Sequence, residues 1–261
     1  METKPSSDYV QSLARGLAVI GAFDAEHREL TLSDVAARTG LTRATARRFL
    51  LTLVDLGYVR ADGRGFSLTP KVLELGYSYL SALGLPELLQ PFLAELSREL
   101  GESTSAAILD GSDIVYVARV QAKRIMSVGI TIGTRFPAPT TSMGRVLLAG
   151  LGQPALDAVL AAAPPTGITA GTLTDVAAVR RRIDEVRTAG WCLVDQELEV
   201  GLRSIAAPIR AADGRVLAAI NVSTSVATVS LEQLAGPYKD ALLDVAARAS
   251  AAAGHGAFHA H

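Results

Sequence analysis

A chain of 261 residues, nearly half of them apolar, is long enough for two domains, and its formal net charge of −1 means that any strongly positive surface must be local. The single cysteine, Cys192, excludes a disulfide framework and a thiolate metal cage and suits a reducing cytosol, so a cytoplasmic location is expected. No apolar run approaches the ~20 residues of a membrane helix, and METKPSSDYV has no apolar h-region, so neither a membrane partner nor a secretory leader is expected.

Residues 1–8 are expected to be a flexible lead. Val10, Leu13, Ala14, Leu17 and Ile20 then recur at helical spacing and predict a first helix over 10–23, ended by Gly21 and the polar run 24–28. Its one cation, Arg15, can reach a phosphate or stay solvated. Leu32, Val35 and Ala36 make a short helical face broken by Gly40, and Thr42 caps a second run whose apolar side is Ala46, Phe49, Leu50, Leu53 and Val54. Two helices around a Gly-containing turn form a helix-turn-helix pattern, in which the second helix enters the DNA major groove. Thr42, Arg43, Thr45, Arg47 and Arg48 point off the apolar face, and these residue types suit phosphates and base edges. The alternative is a surface helical hairpin with a solvated arginine face. Residues 57–60 and 66–68 read as strands around the turn Asp62-Gly63-Arg64-Gly65, a wing that sets Arg60 and Arg64 against a sugar-phosphate backbone. Between Arg38 and Arg64 six arginines face only Asp55 and Asp62, which localises the positive charge to this segment.

A helix with Pro70 at its first position is expected to run to Gly84, as an interdomain linker and dimer contact or packed on its own domain. Domain boundaries follow: 9–69 for the winged helix-turn-helix, 70–85 for the linker helix, 86–252 for a second domain. In that domain an amphipathic helix is expected over 87–100, then strands over 103–109, 113–120 and 124–132, a loop over 133–141, and helices from Ser142 through Leu151 and over 154–162. Thr174 is expected to cap a helix over 175–189, followed by strands over 191–194, 204–210 and 216–224, a polar loop over 196–201, and a closing helix over 231–252 with a frayed tail. Hairpin connections imply an antiparallel sheet with helices packed on it, so the fold class is α+β with two domains.

The stretches YVQSLARGLAVIGAF, GLTRATARRFLLTLVDLGYV, FSLTPKVLELGYSYL, TSMGRVLLAGL and VDQELEVGLRSIAAPIR together resemble the IclR family of bacterial transcriptional regulators, over residues 9 to about 250. More narrowly they are similar to its members that control the β-ketoadipate route of aromatic catabolism, the protocatechuate and 4-hydroxybenzoate regulons. The resemblance implies a winged helix-turn-helix, a linker helix and a C-terminal GAF-like sheet that binds a small organic acid, assembled as a dimer or a dimer of dimers on double-stranded DNA with a palindromic operator. It also implies an effector pocket lined by Ser142 and Met143, by Leu202 and Ser204 where many members carry cysteine, and by Asn221 and Ser223 where two serines are common. Backbone N–H groups at the start of the Ser142 helix suit a carboxylate, with Ser204, Asn221 and Ser223 completing its hydrogen bonds. Asn221 and Ser223 can equally satisfy only local backbone. Arg119, Arg124, Arg135 and Arg203 are the nearest cations, open to a dicarboxylate effector or to salt bridges with Asp113, Asp195 or Glu197.

An enzyme needs a base, a nucleophile or a cofactor cradle. Histidine occurs only at His27, His255, His259 and His261, which leaves no triad inside the second domain, and Gly129-Ile130-Thr131-Ile132-Gly133 is not a dinucleotide fingerprint. No cofactor and no metal are therefore expected. Cys192 beside Trp191 reads as core, and Asp195, Glu197 and Glu199 as a solvated edge. The rival class is an enzyme acting on an aromatic acid whose N-terminal helices only mediate assembly.

Overall fold

The computed structural model describes residues 8–24, 26–76, 84–122 and 130–255, and the chain divides after residue 81 into two compact units. In the first unit, α1 (Gln11–Ile20) precedes β1 (Leu30–Thr31), α2 (Leu32–Thr39) and α3 (Arg43–Asp55), and a hairpin of β2 (Val59–Asp62) and β3 (Gly65–Leu68) follows. Thr31 and Asp34 close a reciprocal capping box on α2, and Gly40, at φ +67°, ends that helix in the left-handed conformation that a side chain would strain. Val19, Val35, Ala46 and Leu50 are wholly buried among the three helices. The strand β1 was not expected: its two residues pair with Phe66 and Gly65, so the sheet has the order β1-β3-β2. Two residues are too few for alternation to be read from sequence. The loop between β2 and β3 is Gly63-Arg64, with positive φ at Gly63 only, a primed-turn choice that suits strand twist.

Pro70–Val72 forms a 3₁₀ turn and residues 73–76 continue as helix. Residues 77–83 of the predicted linker helix lie outside the described residues. In the second unit, α4 (Leu85–Leu100) leads into a six-stranded antiparallel sheet of β4 (Ser103–Asp110), β5 (Asp113–Val120), β6 (Arg135–Pro137), β7 (Cys192–Asp195), β8 (Leu202–Arg210) and β9 (Val216–Ser225). Its order is β6-β5-β4-β9-β8-β7. The α4 helix and the C-terminal α8 (Lys239–His255) cover one face. On the other face α5 (Ser142–Ala149) lies against β4, β8 and β9, backed by α6 (Gln153–Ala162) and α7 (Val176–Ala189), over a core including Ile114, Met143, Leu148, Leu156 and Ile183.

Three expectations need correction. Of the strand expected over 124–132, residues 124–129 lie outside the described residues and 130–132 form no strand; β5 instead pairs with Arg135–Pro137, inside the expected loop. A proline is tolerated there because β6 is an edge strand, and Arg135 ties it down through Asp110 and Asp113 at 2.6 and 3.2 Å. Asp175, not Thr174, caps α7 by accepting from the Ala178 N–H. The closing helix is broken by a wide turn over Leu234–Tyr238, where Gly236 leaves helical geometry ahead of Pro237.

Candidate functional site

The arginine-bearing face of the first unit follows from how α3 is seated. Ala46, Leu50 and Leu53 point inward, which turns Arg43, Ala44, Arg47 and Arg48 to solvent. Thr42 starts the helix with its Oγ1 accepting from the Thr45 N–H at 3.2 Å and lying 2.9 Å from the Thr45 hydroxyl, so these two side chains shape the N-terminus. Among the described residues no ion pair engages Arg43, Arg47, Arg48 or Arg64, whereas Arg38 is held by Asp24 at 2.6 Å. Arg60 donates from Nε to Ser67 across the wing at 2.8 Å, and Arg64 sits at the wing tip. Unpaired exposed guanidinium groups on one helix face are what phosphates and guanine edges require. Ala44, unremarked in the sequence, shares this face and offers a methyl-sized apolar contact.

The second unit holds a small cavity, about 20 Å³, between the sheet and α5, lined by Tyr116, Ile130, Thr140, Thr141, Ser142, Met143, Val194, Leu198, Leu202, Ser204, Asn221 and Ser223. The six residues proposed from three separate stretches are thus neighbours. The register explains their meeting: Ser204 lies opposite Ser223 on β8 and β9, and Asn221, two residues back, points to the same face. Ser142 and Ser204 hydroxyls are 2.9 Å apart, and the Asn221 amide donates to Ser223 Oγ at 3.1 Å. The Asn221 side-chain carbonyl oxygen is buried without a hydrogen-bond partner among the described residues. Tyr116 and Thr140 were not foreseen, since Tyr116 read as one more alternating strand position. Burial pushes the Tyr116 phenol up to about 12, with the nearby Arg119 charge pulling the other way.

The segment over the cavity is fixed by charge. Arg145 of α5, with a side chain 0% exposed, holds both carboxylate oxygens of Glu197 at 2.7 and 2.6 Å and donates from Nε to the Pro139 carbonyl. Leu173 N–H adds a bond to the same carboxylate, and Gln196, the only non-glycine at positive φ among the described residues, turns the chain with its side chain bonded to Gly201 N–H. Glu197 is therefore a buried anchor and not part of a solvated edge; a lone Glu in a polar run gives no sign of a partner 52 residues away. Asp195 pairs with Arg203 at 2.7 Å, and Arg124 lies outside the described residues.

Cys192 is buried, and desolvation pushes its thiol up to about 12. His27 sits beside Asp24 at 2.8 Å in the first unit, while His259 and His261 lie outside the described residues. Among the described residues no helix is long and apolar enough to cross a membrane, and no group of three or more His, Cys, Asp or Glu is placed to hold a metal.

Both halves match known families. The profile described as IclR helix-turn-helix domain covers residues 12–63, and that described as Bacterial transcriptional regulator IclR C-terminal covers residues 77–251. The chain is similar to the Pca regulon regulatory protein of Pseudomonas putida, with 49% identity over 228 residues that span 87% of this chain and 78% of that one. It superimposes on a transcriptional regulator from Rhodococcus sp. RHA1 with a TM-score of 0.86 at 57% identity, covering 95% of this chain and 99% of the other. An IclR homolog complexed with 4-hydroxybenzoate, from Microbacterium hydrocarbonoxydans, gives 0.83 at 26% identity, covering 94% and 100%.

Proposed function

This chain belongs to the IclR family of bacterial transcriptional regulators, and from that premise we propose that it controls genes of aromatic-acid catabolism by binding operator DNA in response to a small aromatic acid. Residues 9–69 read DNA, 70–85 link, and 86–252 sense the effector. Arg43, Thr45, Arg47 and Arg48 enter the major groove with Thr42 at the helix start, while Arg60 and Arg64 contact the backbone. The protein acts in the cytoplasm as a homodimer or a dimer of dimers on palindromic half-sites one or a few turns apart, near ~34 Å per turn. Effector occupancy shifts operator affinity by a coupling of about 1–3 kcal/mol.

The observation that supports this reading most is the convergence of Ser142, Met143, Leu202, Ser204, Asn221 and Ser223 on one cavity whose buried acceptor, Asn221 Oδ1, lacks a partner. Similarity to a Pca regulon regulator and to a homolog complexed with 4-hydroxybenzoate supports the aromatic class. Among the described residues, the lining holds hydroxyl, amide and apolar side chains and no histidine, carboxylate or cysteine. Two variants test the division of labour. Arg47→Ala is expected to abolish selective footprinting of the promoter while 4-hydroxybenzoate binding by calorimetry persists. Ser223→Leu is expected to do the reverse. Unchanged footprints in the first, or unchanged ligand affinity in the second, would refute the assignment concerned.

A further inference from the structure

Most guanidinium groups of the second unit's cavity region are matched by acids: Arg145 by Glu197, Arg203 by Asp195, Arg135 by Asp110 and Asp113. Arg119 is not. Its Nη1 donates to Ser105 Oγ at 3.0 Å, its Nε is buried without a partner, and no carboxylate pairs with it among the described residues. The β5–β4–β9 register sets Arg119 opposite Ser105 and Ser105 opposite Asn221, so the three share the sheet face from which Asn221 lines the cavity. Tyr116 of the cavity wall lies on the same face of β5, because a bulge between Ala106 and Ala107 restores the alternation, and it interacts electrostatically with Arg119. A half-buried cation without a counter-charge is costly unless an anion joins it.

Building on the effector reading above, we propose that Arg119 is the ligand's charge partner: its Nε edge takes the carboxylate, and the orphaned Asn221 Oδ1 accepts from a hydroxyl at the ligand's other end. Two strand spacings, roughly 9–10 Å between Cα atoms, separate the two groups, a span on the order of one substituted ring's length. This moves the carboxylate away from the start of α5, where the Gly144 N–H is already bonded to Thr141 Oγ1 and no full positive charge is free. The ligand class is therefore a hydroxy-substituted aromatic acid, bound by opposite ends.

The test compares 4-hydroxybenzoate with its neutral isostere 4-hydroxybenzamide by calorimetry on the full chain, Arg119→Gln and Arg119→Lys. The parent is expected to prefer the acid. Arg119→Gln is expected to weaken the acid about 10- to 100-fold and bring the acid-to-amide ratio close to one, with Arg119→Lys restoring part of the preference. A merely structural arginine would weaken both ligands alike. An Arg119→Gln protein that keeps the parent's acid preference would overturn the proposal while leaving the effector reading intact. A parent blind to both probes and to protocatechuate would overturn the effector reading and the Arg119 assignment together.

Discussion

Tyr116 is buried in the cavity wall, and what it does to stability depends on its proton. The phenol's value rises from 10 to about 12 on folding, chiefly through burial, so between those pH values the folded chain keeps a proton that the unfolded chain releases. Its contribution is intact below pH 10 and is lost as pH climbs toward 12, at up to about 1.4 kcal/mol per pH unit. Tyr116→Phe should flatten part of that alkaline loss, measured as the midpoint of thermal unfolding from pH 9 to 12. The remaining slope belongs to groups such as Cys192, which shifts in the same direction. Thr42 was identified as a cap because a hydroxyl before an apolar-periodic run has one obvious use. Glu197 was misplaced because burial of a carboxylate depends on a partner that no local pattern names.

At the scale of elements, α5 docks unusually closely on the 3₁₀ turn Ala138–Thr140. A Cβ added at Gly144 would fall 2.0 Å from the Ala138 carbonyl oxygen, a backbone atom that cannot swing aside. Gly144→Ala is expected to destabilise the second unit by about 1–3 kcal/mol or more, read from the urea midpoint at unchanged m-value, and to widen the cavity mouth enough to weaken 4-hydroxybenzoate binding. The glycine in TSMGRVLL is visible in the sequence, but the close approach that requires it is not, since it depends on how the Ala138–Thr140 turn packs against it. The helices α1 to α4 and the strands β4, β5, β8 and β9 were legible because each is long enough to show its period. The two- and three-residue strands β1 and β6 were not: pairing, and not pattern, defines them.

For the whole molecule, a net charge of −1 contrasts with the segment 38–64 of the first unit, where six arginines meet only Asp55 and Asp62. Operator affinity should fall linearly with the logarithm of salt concentration, and Arg64→Ala should reduce that slope by about one unit without altering which promoter fragment is preferred, as filter binding across a salt series would show. A slope unchanged by the substitution would remove the wing tip from the contact. The division into two units is expected from chain length and the localised charge, and the family resemblance spans both. Residues 77–83 of the expected linker helix lie outside the described residues.

The buried clasp between Arg145 and Glu197 has an evolutionary consequence. Because it locks the roof to α5 through side chains that do not line the chamber, Ser142, Ser204, Asn221 and Ser223 can drift without loosening the frame. On the effector reading proposed above, descendants of one scaffold are retuned to new metabolites by a handful of wall substitutions, and libraries built for biosensors should randomise those four positions while leaving the clasp untouched.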